Sequence, residues 1–211
     1  MGKGIHQGLP MLRSGETLAD AKRIVILLHG RGANAESMLS LSQDLFYPGT
    51  HFVLPQAAEN RWYPQTAFGP LQPNELDLSS ALTVVGDLML DMDQKGFPRD
   101  RIVLGGFSQG ACLAAEYLVR NPDRLGGLFV LSGALIGPPE KKRNPMGDLQ
   151  GTPVFIGGSD VDPWVKKEYF LEAERVLSSL GAAVEMKIYP GMGHIINEDE
   201  LNIVRDLIAG V

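Results

Sequence analysis

The pentapeptide Gly106-Phe107-Ser108-Gln109-Gly110 is the segment of this sequence that decides the fold class. The apolar run Ile102-Val103-Leu104 precedes it, and a helix-like run beginning at Ala111 follows it. A strand, a sharp turn with serine at its apex and a helix together match the G-x-S-x-G nucleophile elbow. A Cβ at either glycine would crowd a neighbouring strand or helix where the backbone turns tightly. We therefore expect the Ser108 hydroxyl to project from the end of a strand.

A serine nucleophile needs a base and an acid that orients the base, in the chain order Ser, Asp or Glu, His for such a fold. His194 follows two glycines and a strand-like run, which leaves room for its ring to move. Asp160 and Asp162 follow the apolar strand predicted at 153–156, and either of them could orient the imidazole. The imidazole takes the serine proton, while the carboxylate fixes its tautomer and stabilises the imidazolium.

An oxyanion hole is predicted in the segment that follows the strand Ile24–Leu28. This fold places its second backbone donor in such a loop, so we assign the donors to the N–H groups of Arg31 and Gln109. Removing one such donor typically lowers turnover by ~10²–10³-fold. The Arg31 side chain could bind a substrate carboxylate or phosphate, but a salt bridge that holds its own loop is favoured. His29 is a second possible base, although a structural hydrogen bond is favoured.

Short apolar strands alternate with helix-like runs, which indicates an α/β domain with a parallel sheet. The strands are predicted at 24–28, 51–54, 102–104, 125–131, 153–156 and 184–189, and the helices at 35–45, 75–95, 111–121, 163–180 and 198–209. Residues 4–23 are predicted to form an irregular hairpin that turns near Arg13-Ser14-Gly15, and Asn74 is predicted to cap a helix. The serine, aspartate and histidine candidates all follow strand ends, where sites form in open α/β sheets.

Composition sets limits on the class of protein. A length of 211 residues favours a single domain, 1–211, and 44% hydrophobic with 21% charged residues is ordinary for a globular chain. The net charge of −6 argues against a nucleic-acid partner. The chain start lacks an apolar signal core, and no apolar run approaches the ~20 residues that span a bilayer. We therefore expect a cytoplasmic protein without membrane insertion.

Several residues that could carry chemistry are assigned ordinary structural roles. Cys112 is the only cysteine, and it is predicted to be a buried core residue rather than a second nucleophile. The basic cluster Lys141-Lys142-Arg143 is predicted to lie in a solvated loop. The histidines and carboxylates lack metal-ligand spacing such as H-E-x-x-H, and the glycine-rich segments lack nucleotide-binding patterns. Neither a metal nor a cofactor is expected.

Taken together, the motif segments resemble the bacterial phospholipase/carboxylesterase family of α/β-hydrolases, which is related to the acyl-protein thioesterases. The resemblance covers nearly the whole chain from Ile24 onward and rests on six segments, 28–34, 54–57, 62–64, 78–82, 105–111 and 191–194. It implies an α/β-hydrolase fold with a mostly parallel central sheet, helices on both faces and no large lid domain. It also implies a metal-free Ser-Asp-His site for small-molecule esters and, because relatives are often dimers, a possible homodimer.

The resemblance also assigns the three site residues. It makes Ser108 the nucleophile and His194 the base. The family's acid lies in a segment ending Asp-x-Asp-Pro-x-Val, which residues 160–165 match, so Asp162 is favoured over Asp160. One departure is visible, because many relatives carry His-Gly where this chain has Gly157-Gly158. The packing around those two glycines must therefore differ.

The same reasoning leads to a function hypothesis with alternatives. The leading hypothesis is a serine hydrolase that cleaves small carboxylic esters through an acyl-enzyme on Ser108. An acyl-protein thioesterase or a lysophospholipase would use the same residues, whereas a non-catalytic binding protein would not need them intact. Trp164 and the apolar segment containing Leu135 and Ile136 are expected to line the substrate pocket, and Trp62 is expected either to line it or to cover the core.

Overall fold

Seven strands and five helices make up the part of the chain that the computed structural model describes, which is residues 4–138, 141, 143 and 146–211. The strands are β1 (Met11–Gly15), β2 (Arg23–Leu28), β3 (Thr50–Pro55), β4 (Ile102–Phe107), β5 (Gly127–Leu131), β6 (Pro153–Ser159) and β7 (Ala183–Tyr189). The helices are α1 (Met38–Asp44), α2 (Glu75–Gln94), α3 (Gln109–Arg120), α4 (Lys167–Ser179) and α5 (Glu198–Ala209). Three short 3-10 turns lie at Ala58–Asn60, Gln72–Asn74 and Arg99–Arg101.

The strands form one sheet in the order β1-β3-β2-β4-β5-β6-β7. Strand β1 pairs antiparallel with β3, and all the other neighbours are parallel. Strands β2, β3 and β5 are buried at every position. A strand covered by helices on both faces reads as a continuous apolar run, which is why these strands were predictable from sequence.

Helices cover both faces of the sheet, and each face has its own apolar core. Along β2, Ile24, Ile26 and Leu28 pack into the core that α2, α3 and α4 cover. The alternate residues Val25 and Leu27 pack into the core that α1 and α5 cover. This division follows from the two-residue period of a strand. In the residues that the structure describes, no helix is both long and apolar enough to cross a membrane.

The predicted hairpin over residues 4–23 is wrong. Residues 13–15, where the turn was expected, belong to strand β1, which pairs with β3 about forty residues later in the chain. Strand β1 lies at the sheet edge and is only partly buried, so its polar residues resemble a turn in the local sequence. Gly15 ends the strand with φ of +80°, a conformation that favours glycine.

Three of the predicted helix starts differ from the structure. Helix α1 begins at Met38 rather than at residue 35, α3 begins at Gln109 rather than at residue 111, and α4 begins at Lys167 rather than at residue 163. Asn74 precedes α2 as predicted, but its side chain does not cap the helix. The buried Asn74 amide instead accepts the Gln65 N–H at 2.7 Å and donates to the Thr66 carbonyl at 3.0 Å. It therefore holds the long loop that precedes the helix.

The prediction of a solvated basic loop is wrong for Arg143. Arg143 lies 3.1 Å from the buried carboxylate of Glu116 in α3, and Lys141 and Arg120 contact the same carboxylate. Burial alone raises the pKa of Glu116, but the Arg143, Lys141 and Arg120 cations together hold it below its ordinary value. A buried acid in the neighbouring helix was not visible in the local pattern. Lys142 lies outside the described residues.

The close approach of α3 to β2 can be tested with one added methyl group. A Cβ at Gly110 would lie 2.2 Å from the Leu28 carbonyl oxygen, whereas a Cβ at Gly86 in α2 meets nothing closer than 3.8 Å. We expect Gly110→Ala to lower the free energy of unfolding by about 3 kcal/mol or more, because backbone must move to make room. Gly86→Ala, the matched control, should leave it unchanged or raise it by up to about 1 kcal/mol. Urea denaturation measures both, and equal stabilities would contradict this packing.

Candidate active site

The serine at the apex of the elbow has a strained backbone. Ser108 connects β4 to α3 with φ of 55° and ψ of −117°, a conformation that non-glycine residues rarely adopt. Its N–H donates to the Leu131 carbonyl at 2.8 Å, and its carbonyl accepts the Cys112 N–H at 3.0 Å. These bonds hold the turn between the sheet and the helix. The predicted strand, turn and helix are all present.

Three side chains from separate strand ends meet at this elbow. The Ser108 hydroxyl oxygen lies 2.9 Å from His194 Nε2, and His194 Nδ1 lies 2.6 Å from Asp162 Oδ2. The carboxylate is buried, and its other oxygen accepts the N–H groups of Trp164 at 2.8 Å and Val165 at 3.0 Å. Asp162 therefore closes a local turn by accepting these two N–H groups. It does not cap α4, because the residue at the start of that helix is Lys166. In this arrangement the imidazole can accept a proton from serine while the carboxylate receives its Nδ1–H.

The loop that carries the histidine is held to the end of β6 by two further side chains. Asp160 does not contact the His194 ring, and its Oδ1 accepts the Gly191 N–H at 2.8 Å. Ser159 is buried, and its hydroxyl oxygen accepts the Gly193 N–H at 3.0 Å. The two aspartates thus have different partners in this loop: Asp162, which the resemblance favoured, is bonded to the imidazole, and Asp160 is bonded to the backbone. Ser159 was missed because a strand-end serine carries no distinguishing pattern.

The two N–H groups assigned to the oxyanion hole lie beside the serine. A Cβ on Gly30 would be 3.4 Å from the Ser108 Cβ, so the segment containing Arg31 packs against the elbow. Gln109 is the first residue of α3, where N–H groups have no acceptor within the helix. Among the described residues, neither the Arg31 nor the Gln109 N–H donates to a backbone carbonyl. Neither N–H group is therefore occupied by a backbone acceptor in the described part of the chain.

The side chains of Arg31 and His29 have structural partners. The Arg31 guanidinium donates to the carbonyls of Pro64, at 2.7 Å, and Gln65. It therefore holds the facing loop through carbonyl groups, rather than its own loop through the expected salt bridge. The buried His29 ring accepts the Ala57 N–H at Nε2, 3.1 Å away, which leaves its Nδ1–H to donate to the Gly30 carbonyl at 2.8 Å. Burial lowers the pKa of His29, so this neutral ring keeps both bonds.

A cavity of about 560 Å³ opens above the serine. Ser108, Gln109 and His194 line one side of it. Its apolar walls include Tyr63, Pro64, Phe68, Phe107, Trp164 and Val165. Trp164 is 71% exposed, so it lies at the mouth, next to the aspartate as the sequence suggested. A space of this volume and polarity is within the range of small-molecule pockets.

The other predicted pocket residues lie elsewhere. Trp62 is completely buried in the core, and its indole N–H donates to the His29 carbonyl at 2.9 Å. Leu135 and Ile136 are buried but do not line the cavity. The Glu116 carboxylate accepts the Ile136 N–H at 3.0 Å and holds this segment over α3. Pro139, which ends the apolar segment predicted to line the pocket, lies outside the described residues.

Several cavity residues come from the long loop between β3 and α2, where sequence periodicity gives no information. The Phe68 ring stacks on Tyr169 of α4, with ring centres 4.0 Å apart, and this pair supports one wall. Cys112 also lines the cavity, one helical turn beyond the serine. Burial raises the pKa of its thiol to about 11, so the thiol stays protonated near neutral pH. This agrees with the structural role that the sequence suggested for it.

The buried side chain of Glu200 is the reason why position 157 holds a glycine. A Cβ on Gly157 would lie 2.2 Å from Glu200 Oε1, so the carboxyl fills the space beside this glycine. Glu200 Oε2 accepts the Asn197 N–H at 2.9 Å, and the Asn197 side chain accepts the Glu200 N–H in return, forming a capping box. This box fixes the end of the histidine loop. Burial raises the pKa of Glu200 to about 7.

This buried carboxyl should make stability depend on pH. In the folded state Glu200 keeps its proton up to pH about 7, against 4.5 ordinarily, so stability falls as the pH rises through this window. Gln cannot titrate and still serves in a capping box. We expect the unfolding free energy of Glu200→Gln, relative to wild type, to rise by up to about 3 kcal/mol between pH 4.5 and 8.

Chemical denaturation at both pH values measures this difference. Glu198→Gln is the matched control, because it removes a mostly exposed carboxylate from the same helical turn. The Glu198 variant should follow the wild-type pH dependence. A Glu200 variant whose stability relative to wild type is the same at both pH values would contradict the raised pKa.

Several known proteins are similar to this chain in sequence and structure. The family model described as Phospholipase/Carboxylesterase matches residues 16–211. The crystal structure of a phospholipase/carboxylesterase from Dyadobacter fermentans is similar, with a TM-score of 0.91 and 36% identity, covering 99% of this chain and 100% of that one. Acyl-protein thioesterase 1 of Saccharomyces cerevisiae is 28% identical over 224 residues, 93% of this chain and 96% of the yeast protein. Lysophospholipase-like protein 1 of Mus musculus is 26% identical over 206 residues, 87% and 84% of the two chains.

Proposed function

Because this chain belongs to the phospholipase/carboxylesterase family, we propose that it hydrolyses small carboxylic esters through an acyl-enzyme on Ser108. The chain is an ester hydrolase, and the predicted α/β-hydrolase fold is confirmed. The described residues include no large lid domain. The observation that carries the proposal is the line of hydrogen bonds from Ser108 through His194 to Asp162.

In the first half of the proposed reaction, the Ser108 oxygen attacks the ester carbonyl carbon. His194 Nε2 accepts the serine proton, since it already lies 2.9 Å from the hydroxyl oxygen. Asp162 accepts the Nδ1–H, which fixes the tautomer and stabilises the imidazolium. The C–O bond of the leaving group then breaks, and His194 gives its proton to the departing alcohol. The product of this half is an acyl group on Ser108.

In the second half, water takes the place of the alcohol. His194 removes a proton from water, the resulting oxygen attacks the acyl carbon, and the proton returns to Ser108 as the acid leaves. In both halves the carbonyl oxygen becomes negative, and the Arg31 and Gln109 N–H groups are the proposed donors to it. Their position beside the serine, without a backbone acceptor in the described residues, supports this assignment.

The cavity is large enough for small esters. Its volume is about 560 Å³, and its apolar walls suit an alkyl group on the acyl or the alcohol side. A thioesterase acting on acylated proteins, or a lysophospholipase, is the alternative, because relatives with those names share the fold. The two alternatives require an extended apolar groove for a long chain. A single domain over residues 1–211, a homodimer and a cytoplasmic location stay predictions from the sequence.

Substitutions at the three proposed residues test the chemistry. We expect Ser108→Ala and His194→Ala each to lower kcat on p-nitrophenyl butyrate by about 10⁶-fold, and Asp162→Asn by somewhat less. Asp160→Asn is the matched control, because it keeps an oxygen acceptor for the Gly191 N–H and should retain most activity. Turnover that survives in pure Ser108→Ala protein would rule out the mechanism.

A series of p-nitrophenyl esters from acetyl to palmitoyl tests the substrate class. If the chain hydrolyses small esters as proposed, we expect kcat/KM to be highest for short acyl chains and to fall towards palmitoyl. The same series with Ser108→Ala corrects for spontaneous hydrolysis. A maximum at long chains would favour the thioesterase or lysophospholipase alternative over small esters.

A further inference from the structure

The backbone of residues 57–63, here called the bracing loop, lies between the N-terminal arm (residues 4–10) and the proposed oxyanion hole. We propose that His6 in this arm is a positioning residue that holds the bracing loop, and through it the oxyanion donors, in register with Ser108. The inference rests on the proposed function, because it concerns the rate of the reaction at Ser108. It gives the N-terminal arm a role in turnover as well as in folding.

The His6 ring makes two hydrogen bonds to the bracing loop. Its Nδ1 accepts the Ala58 N–H at 3.0 Å, so its Nε2–H is the group that donates to the Trp62 carbonyl, 3.0 Å away. His6 is only 2% exposed, and its ring lies against the Trp62 indole, with ring centres 5.6 Å apart. Each ring nitrogen therefore has a defined partner, and the two partners lie at opposite ends of the loop.

The bracing loop holds the segment that contains Arg31. The Ala57 N–H donates to the His29 ring at 3.1 Å, and the Trp62 indole N–H donates to the His29 carbonyl at 2.9 Å. The Asn60 carbonyl accepts the Gly32 N–H at 2.7 Å. The residues on both sides of Arg31 are thus hydrogen-bonded to this loop. A displaced loop would move the Arg31 N–H away from the serine.

The same loop also holds the second donor residue. The Gln109 side chain accepts the Trp62 N–H at 2.8 Å and donates to the Tyr63 carbonyl at 2.8 Å. Gln109 is buried, and its own backbone N–H is the other proposed oxyanion donor. Both donors therefore depend on the position of one loop. His6 contacts that loop but does not line the cavity above Ser108.

The arm has its own attachment to α2, which makes the role of the ring separable. The His6 N–H donates to the Ser80 hydroxyl at 3.1 Å, and the Gln7 side chain donates to the Ser80 carbonyl at 2.8 Å. These bonds do not involve the His6 ring. Replacing the ring should therefore release the bracing loop while the arm stays on the helix.

Three substitutions at position 6 separate the two bonds of the ring. Asn places an oxygen near the Nδ1 position and can accept the Ala58 N–H, whereas Gln can place an amide N–H near the Nε2 position for the Trp62 carbonyl. Ala loses both bonds. We expect His6→Ala to lower kcat by about 10- to 100-fold with a smaller change in KM, since small displacements at an active site cost rate. Asn and Gln should each restore part of kcat.

His51 provides a matched control. This buried histidine also holds the N-terminal region, through the Glu16 carbonyl at 2.7 Å and Arg13 at 3.1 Å, but it does not contact the bracing loop. His51→Ala should lower the Tm and leave kcat unchanged. All kcat values are expressed per active site, counted by labelling with a fluorophosphonate, so that unfolded protein does not enter the comparison.

A second measurement does not require turnover. In a Trp164→Phe background Trp62 is the only tryptophan, and it is buried against the His6 ring. We expect His6→Ala to shift its fluorescence emission to longer wavelength, and His51→Ala to leave it unchanged. A His6→Ala protein with wild-type kcat per labelled site, or with unshifted Trp62 emission, would overturn the inference. Failure of the wild-type protein to show Ser108-dependent turnover would instead contradict the proposed function.

Discussion

The close approach of helix α3 to strand β2 is the constraint on which the site depends. A Cβ at Gly106 or Gly110 would lie 2.5 Å or 2.2 Å from the Leu28 carbonyl oxygen, so only glycine allows this approach. The tight turn between them forces Ser108 into a strained conformation, which costs roughly 1–3 kcal/mol and is maintained by the surrounding packing. As a result, the Ser108 side chain projects beyond the end of strand β4. The start of α3 then lies beside the segment that follows β2. The Gln109 N–H belongs to the start of α3 and the Arg31 N–H to that segment, and these are the two proposed oxyanion donors.

The opposite side of the site is held by a dense set of hydrogen bonds at the ends of β6 and β7. Asp162 receives the imidazole N–H, while Asp160 and Ser159 hold the backbone of the histidine loop. Glu200 fixes the far end of the same loop through its capping box. The imidazole is therefore positioned by four side chains, only one of which touches it. Asp162 therefore acts on the ring itself, whereas Asp160, Ser159 and Glu200 hold the loop that carries the ring.

Much of the fold, and the convergence of the three proposed site residues, could be predicted from the sequence because both follow from local patterns. The central strands are continuous apolar runs, and the serine, aspartate and histidine segments follow the ends of the parallel strands β4, β6 and β7, so the shared edge of the sheet brings them together. The positions of Trp62, Ile136 and strand β1 were not predictable in the same way. Each is set by a partner distant in the chain: the His29 carbonyl for Trp62, the Glu116 carboxylate for Ile136 and the β3 strand for the edge strand β1. Two histidines with no local signal, His6 and His51, are buried for the same reason.

The central claim of this account is that an acyl group passes through the Ser108 oxygen. The most direct test is to mix the wild-type protein with excess p-nitrophenyl butyrate, stop the reaction with acid within its first turnover and map the peptides by mass spectrometry. The account predicts a burst of p-nitrophenolate and a butyryl group on the peptide that contains Ser108, with no such adduct in Ser108→Ala protein. A butyryl group on another residue, or steady turnover with neither a burst nor an adduct at any quench time, would contradict it.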